Sequence, residues 1–439
     1  MAYVIGVLVF VVGVAVSVAL HEIGHLVPAK LFGVRCTQYM VGFGPTVWSR
    51  QVGDTEYGIK AFPLGGYVRM LGMFPPKPGR PVRADSTGRW SMLIEQARAD
   101  SASEIGPEDA DKLFYQRSTP KRLLIMLGGP TMNLVLATGI FAVLLSGFGI
   151  NVKSTTLETV SRCVLPGDAP NSRTCQPTDP PAPAVKAGLR PGDTLLAFGG
   201  TKIDNWQQVQ QLIRANHGTP VDLTVRRNGQ EEHLTITPMV SPQAVLDGNG
   251  DPVVGSDGRT KLTQVGFLGV TPSTVLVHKP LSAVPGYVGD DLAKVAGVVL
   301  RIPQKMVGVA KAAFGSGPRD PNGPISVVGA ARVSGEIGNA QGLSDMGKFA
   351  GWLSLVGSIN LALFVFNLVP LLPLDGGHVA GALWEAVRRR ANRLLRRPDP
   401  GPVDMARALP LTYGVASLLI GMSVLLIYAD IVRPVRLGG

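Results

Sequence analysis

Charge is scarce in this chain. Only 17% of its 439 residues are Asp, Glu, Lys or Arg, 6% are aromatic, six are histidine and three are cysteine. With 45% hydrophobic residues and a mean hydropathy of +0.22, that scarcity argues against a wholly soluble protein. The first apolar run lacks a basic n-region and a small-residue cleavage site, which argues against a signal peptide. The net charge of +11 comes without the interleaved basic and aromatic residues that nucleic acid would call for, so no nucleic-acid partner is expected.

What is present is unevenly spread. Residues 1–20, 123–152, 349–374 and 408–429 carry no charge, and each run is long enough, at roughly 17 to 25 residues per span, to cross a bilayer. The expected fold is a polytopic α-helical membrane protein with about four transmembrane helices, in the plasma membrane. Basic residues orient it. Between Lys30 and Arg122 there are fourteen Lys and Arg against nine Asp and Glu, and seven arginines from Arg388 to Arg407 crowd the loop between the last two spans. Both loops should therefore be cytoplasmic, which puts both termini and residues 153–348 outside. Cys163 and Cys175 fall in that external stretch, where an oxidising compartment permits a disulfide between them; the alternative is two unpaired thiols.

The spacing of apolar and turn residues subdivides the chain. Residues 1–33 form the first span. Residues 34–70 read as strands and turns, 71–122 as a polar cytoplasmic loop with one short helix, and 123–152 as the second span. Residues 153–275 form the external region. Within it, 181–240 carries a turn at residues 190–193, a strand, a helix from about Asn205 to Arg214 and a hairpin at Asn228-Gly229. This order, with "AGLRPGDTLLAFGG" at residues 187–200, resembles a circularly permuted bacterial PDZ domain. Residues 241–262 read as an inserted loop and 276–348 as an interfacial amphipathic region. Residues 349–380 form the third span, 381–407 a basic loop and 408–430 the fourth span.

Chemistry concentrates at the end of the first run, in "HEIGH". His21 and His25 are four apart and share a helix face, and Glu22 lies between them; this is the zincin spacing, two ligands and a general base for a metal-activated water. A catalytic zinc usually takes a third protein ligand. His217, His233 and His278 fall on the expected external side, which leaves Asp375 and His378 at the cytoplasmic end of the third span.

HEIGH, "NLVPLLPLDGG" at residues 367–377 and a PDZ-like segment between the middle spans together resemble the site-2 protease family of membrane-embedded zinc metalloproteases, most closely the actinobacterial anti-sigma-factor proteases. "GGPTMN" at residues 128–133 resembles the family's second-span motif, and "FPLGGYVRM" at 62–70 its membrane-associated β-loop. The second pattern proline is absent: Leu372 stands in its place, with Pro373 one position later. The resemblance implies one Zn²⁺ per chain held by His21, His25 and Asp375, Glu22 as general base, and Asn367 as a donor to the oxyanion or the substrate backbone. Gly65 and Gly66 read either as a turn that needs positive φ or as a strand edge left bare for pairing with an unwound substrate, and His378 either as surface or as a partner behind the metal ligands. It further implies single-pass membrane-protein substrates, anti-sigma factors already cut outside by another protease, in contact with the lipid bilayer.

Two other classes fit parts of the sequence. A transporter would show repeated halves, and HEIGH has no counterpart in the second half. A membrane-anchored PDZ scaffold would need neither His21 nor Asp375.

Overall fold

The computed structural model describes residues 1–75, 89–164, 175–244, 261–315, 319, 323–341 and 343–434. The chain divides into two units, Met1–Leu144 with Pro280–Gly439, and Leu145–Lys279.

Helix α1, Ala2–Leu31, runs unbroken through the first apolar stretch. At 1.5 Å per residue it is about 45 Å long, more than the ~30 Å hydrocarbon core of a bilayer. Strands β1, Cys36–Val52, and β2, Thr55–Met70, follow as an antiparallel pair. Both bend so that they pair twice. Residues 38–41 lie between 56–59 on one side and 66–69 on the other. The stretch 66–69 is therefore outermost, and its second edge has no strand partner among the described residues. Helix α2, Arg89–Ser103, occupies part of the expected polar loop; residues 76–88 of that loop lie outside the described residues. Helix α3, Thr119–Ala142, continues as a wider turn to Phe148, and a strand begins at Ile150. The second apolar helix thus starts and stops four residues earlier than the uncharged run suggests, because Thr119-Pro120 supplies a helix start and Gly149, at φ 79°, a stop.

The second unit is built on strands β3 (Ile150–Val160), β4 (Thr194–Phe198), β5 (Thr201–Lys202), β6 (Val221–Arg227) and β7 (Gln230–Ile236), with short helix α4 (Pro183–Lys186) and helix α5 (Trp206–Ala215). Strands β8 (Met239–Ala244), β9 (Leu262–Phe267) and β10 (Val270–Val277) complete it. The main sheet has the order β10-β3-β4-β6-β7 with β5 beside β4. Asn228 and Gly229, both at positive φ, make the tight β6–β7 turn that the sequence calls for. Trp206, Val209 and Ile213 of α5 pack with Leu195, Phe198, Leu223, Val225 and Ile236 in a closed apolar core. Below it the buried Asp193 accepts hydrogen bonds from Arg227 Nε at 2.8 Å, Arg227 Nη2 at 2.7 Å and the Arg190 backbone N–H at 2.8 Å. The expected inserted loop instead opens and closes as the β8–β9 hairpin, since residues 239–244 and 262–267 pair in register; 245–260 lie outside the described residues. The sulfurs of Cys163 and Cys175 are bonded, 2.08 Å apart.

The chain returns as helices α6 (Val284–Leu300), α7 (Ile302–Phe314), α8 (Val327–Asn339), α9 (Asp345–Asn367), α10 (Asp375–Leu394) and α11 (Leu409–Val432). The expected amphipathic region is three helices, with the first break at Arg301, just before Pro303. Of these, α8 packs on α1 through small residues: Ser334 Oγ donates to the Gly6 carbonyl at 2.7 Å, and a Cβ on Gly6 would overlap the Ser334 carbonyl. The expected basic loop at 381–407 is helical to Leu394, because "GALWEAVRRRANRL" is rich in helix formers and its Glu385 is buried against arginines. Among the described residues, four helices are long and apolar enough to cross a membrane: Ala2–Leu31, Thr119–Phe148, Asp345–Asn367 and Met405–Val432.

Candidate metal centre

Three helices bring the site together. On α1, His21 and His25 sit one turn apart on the buried face. Helix α3 lies against that face almost backbone to backbone: a Cβ on Gly24 would overlap the Gly128 carbonyl, one on Gly128 the Gly24 carbonyl, and one on Gly129 would strike His25 Nε2. Pro28 leaves the Gly24 carbonyl without its helical N–H partner, so both glycine and proline shape this contact. After α9 ends at Asn367, residues 368–374 turn sharply, with Leu374 N–H bonded to Leu371 O and a cis peptide at Leu372-Pro373. Gly376 and Gly377 let α10 fold back on that turn, since a Cβ on Gly376 would overlap the Val369 carbonyl and one on Gly377 would sit 2.6 Å from Leu372 N. Asp375, the first residue of α10, is thereby delivered to the histidines.

His21 Nε2, His25 Nε2 and Asp375 Oδ2 form a triangle with edges of 3.2, 3.3 and 3.3 Å. Donors at 2.0–2.1 Å from a tetrahedral zinc stand about 3.3–3.4 Å apart, so the triangle has the size of one face of that coordination sphere. Asp375 Oδ2 is buried with no hydrogen bond of its own. Both rings are held from behind: His25 Nδ1 lies 2.8 Å from the Ile125 carbonyl and His21 Nδ1 3.0 Å from the Asn133 amide. The outer nitrogens are engaged and the inner ones converge, an arrangement able to hold one metal ion.

Glu22 lies within electrostatic reach of both histidines and of Asp375, and its carboxylate accepts from the Val68 backbone N–H of β2. Gly66 makes room for it, because a Cβ there would lie 2.9 Å from Glu22 Cγ and 3.0 Å from the Met40 carbonyl. Gly65, at φ 109°, turns the strand just before this point. The sheet is fastened to α1 by Tyr39, whose hydroxyl donates to the Ala19 carbonyl at 2.8 Å. Burial pushes that phenol up to about 12, so it remains a donor at any physiological pH.

The structure therefore brings His21, Glu22, His25, Asp375 and Gly66 into one region. Asn367 closes α9, half-buried, and its side chain makes no hydrogen bond among the described residues. His378, expected at the surface, is half-buried on α10 beside Asp375, whose charge it feels; it stands outside the three-donor group.

The chain matches the model of peptidase family M50 over residues 9–396. It belongs to that family, the site-2 proteases. Among curated proteins it is 31% identical to zinc metalloprotease Rip1 of Mycobacterium bovis over 443 aligned residues, covering the whole of both chains. It is also 31% identical to zinc metalloprotease Rip1 of Mycolicibacterium smegmatis over 462, again covering both. Zinc metalloprotease RasP of Oceanobacillus iheyensis is 24% identical over 442, covering 87% of this chain and 91% of the relative. This M50 peptidase is a zinc metalloprotease and a multi-pass membrane protein.

Parts of the site are silent in the sequence. Asn133 stands out only as the last residue of GGPTMN, and Val68 and the Ile125 carbonyl act through backbone atoms, which leave no trace in residue type.

Proposed function

We propose that this M50 peptidase hydrolyses a peptide bond in or near the transmembrane segment of single-pass membrane proteins, with His21, His25 and Asp375 holding Zn²⁺ and Glu22 as general base. The observation that carries this reading is the converging triangle of His21, His25 and Asp375 with Glu22 adjacent on the same helix. Zinc bound there supplies Lewis acidity, lowering the pKa of a water molecule toward about 7 and polarising the scissile carbonyl. Glu22 takes the proton of that water and returns it to the leaving amine. Asn367, with its side chain uncommitted at the end of α9, donates to the developing oxyanion or to the substrate backbone.

A substrate helix hides its peptide bonds in its own hydrogen bonds, and it must be held extended to be cut. Residues 66–69, whose edge has no strand partner among the described residues and no Cβ at Gly66, pair with the unwound segment apart from the Val68 N–H, which Glu22 takes. The second unit is a PDZ-like domain on the external side, as are both termini, and the metal centre faces the cytoplasm; the distribution of basic residues supports this orientation. Substrates by family analogy are anti-sigma factors already trimmed outside by another protease.

The test is a pair of variants of the full-length protein. Glu22→Ala keeps zinc at about one per chain and lowers cleavage by several orders of magnitude, since a base is lost and no ligand; Asp375→Ala loses both metal and activity. In cells carrying Glu22→Ala, membrane proteomics reveals accumulated, externally trimmed stubs. Full cleavage by Glu22→Ala, or normal zinc content in Asp375→Ala, sinks the assignment.

A further inference from the structure

We propose that Asn133 is a positioning residue that sets the ring tautomer of His21, by accepting the Nδ1 hydrogen on its side-chain carbonyl. The inference rests on the zinc reading of the site and assigns that site a further residue.

Asn133 is wholly buried on α3. As placed, its amide nitrogen faces His21 Nδ1 at 3.0 Å, while its carbonyl oxygen is buried with no hydrogen-bond partner. The two ends of a carboxamide have nearly the same outline, and only the hydrogen-bond network tells them apart. Here the imidazole decides. His21 Nε2 points into the triangle with His25 and Asp375 and needs its lone pair free for a metal. The neutral ring must then carry its hydrogen on Nδ1. An amide N–H aimed at Nδ1 would set two donors against each other at 3.0 Å. Turning the carboxamide by half a revolution brings the oxygen to that position and converts the clash into an N–H···O bond. It also gives the oxygen a donor, and moves the amide nitrogen to the buried place that the oxygen held.

The neighbouring ring shows the same arrangement. His25 Nδ1 lies 2.8 Å from the Ile125 carbonyl, which can only accept. Both histidines thus donate from Nδ1 to an oxygen on α3. Ile125 uses its backbone; Asn133, two helical turns further on, supplies a side chain. Helix α3 holds both imidazoles with Nε2 inward. A donor at either position would turn Nε2 into an N–H and close that ring to metal.

The experiment is zinc affinity by chelator competition on the purified full-length protein, with the absorption spectrum of the cobalt(II) form as a second readout. Two substitutions separate acceptor from filler. Asn133→Asp keeps an acceptor and removes both amide donors. Asn133→Leu keeps the bulk and removes both functions. The expected result is a 10–100-fold loss of zinc affinity in Asn133→Leu with an altered cobalt spectrum, and affinity in Asn133→Asp equal to or tighter than wild type. Should Asn133→Leu fail to fold, Asn133→Asp decides by itself: unchanged or tighter binding upholds the proposal, and a tenfold loss in the folded protein overturns it. Wild-type affinity in folded Asn133→Leu also overturns it. A wild-type protein that binds no zinc overturns the metal centre and this inference together, whereas wild-type binding with the wrong order of variants overturns the inference alone.

Discussion

Arg122 and Glu385 meet in a two-pronged ion pair, Nη2 to Oε1 at 2.6 Å and Nη1 to Oε2 at 3.1 Å, with both side chains buried. The pair joins the first turn of α3 to the middle of α10, the helix that begins with Asp375. The Val403 backbone N–H and Arg389 complete the shell around the carboxylate. Removing Glu385 strips the buried Arg122 of its carboxylate partner, and removing Arg122 leaves the buried Glu385 only Arg389 and the Val403 N–H. Arg122→Met or Glu385→Leu alone should cost about 3–5 kcal/mol, while the double substitution recovers most of that loss. Unfolding midpoints in a fixed detergent, for the two singles and the double, check it; additive losses would show that the pairing itself carries nothing.

Gly129→Ala should abolish zinc binding, because the added methyl group would overlap His25 Nε2. Gly139, on the same helix, has nothing within 4 Å of its Cβ position, so Gly139→Ala should leave zinc content unchanged and stabilise the helix by up to about 1 kcal/mol. Metal analysis and thermal unfolding of the two variants side by side distinguish a local clash from general intolerance of α3 to alanine.

In the second unit, burial pushes the Asp193 carboxyl upward, but its hydrogen bonds from Arg227 and the Arg190 backbone, with the charges of both arginines, outweigh burial and hold it below the usual carboxylate range. A carboxylate depressed in the folded state contributes stability above its unfolded value of about 3.9, and that contribution is lost as pH falls through the folded value. Asp193→Asn should therefore destabilise the unit at neutral pH, and the gap from wild type should narrow below about pH 4. Trp206 in its core reports the transition in a chain whose other four tryptophans are phenylalanine. A gap that stays constant from pH 7 to pH 3 would mean the charge is immaterial.

Thiol labelling addresses the cysteines. Cys36 is buried, and burial pushes its thiol up to about 11, so it is inert in the native protein. With the second unit external, as proposed, any labelling of intact cells by an impermeant maleimide would then report on Cys163 and Cys175. None is expected before reduction, and two sites per chain after it. Closing this loop contributes roughly 3 kcal/mol in the chain-entropy model, so reduction should also lower the unfolding temperature.

The sequence and the structure diverge in an orderly way. The HEIGH pair is legible because helical period alone puts residues four apart on one face, and Asp375 is within reach of sequence argument because charge counts and hydropathy send both segments to the same side. The hairpin at Asn228-Gly229 is likewise written in its two residues. Contacts made by small residues are not. Helix α8 follows α1 through Gly6 and Ser334, and a glycine gives hydropathy nothing to register. The basic stretch after Asp375 hides a helix because charge dominates its composition, while the one residue that anchors it, Glu385, looks ordinary until Arg122 is found 263 positions away.

The touching backbones of Gly24 and Gly128 also determine how a substrate can arrive. Two helices in contact at this distance have no slack, and drawing them apart would strip His25 from the Ile125 carbonyl and His21 from Asn133 in the same movement. That flank is a fixed wall. On the proposed reading a polypeptide would be admitted away from that wall, on the side of residues 66–69 and the turn at 368–374, where neither imidazole contact with α3 has to break. A covalent tie between α1 and α3 would accordingly leave turnover intact, whereas one between β2 and that turn would lock the door.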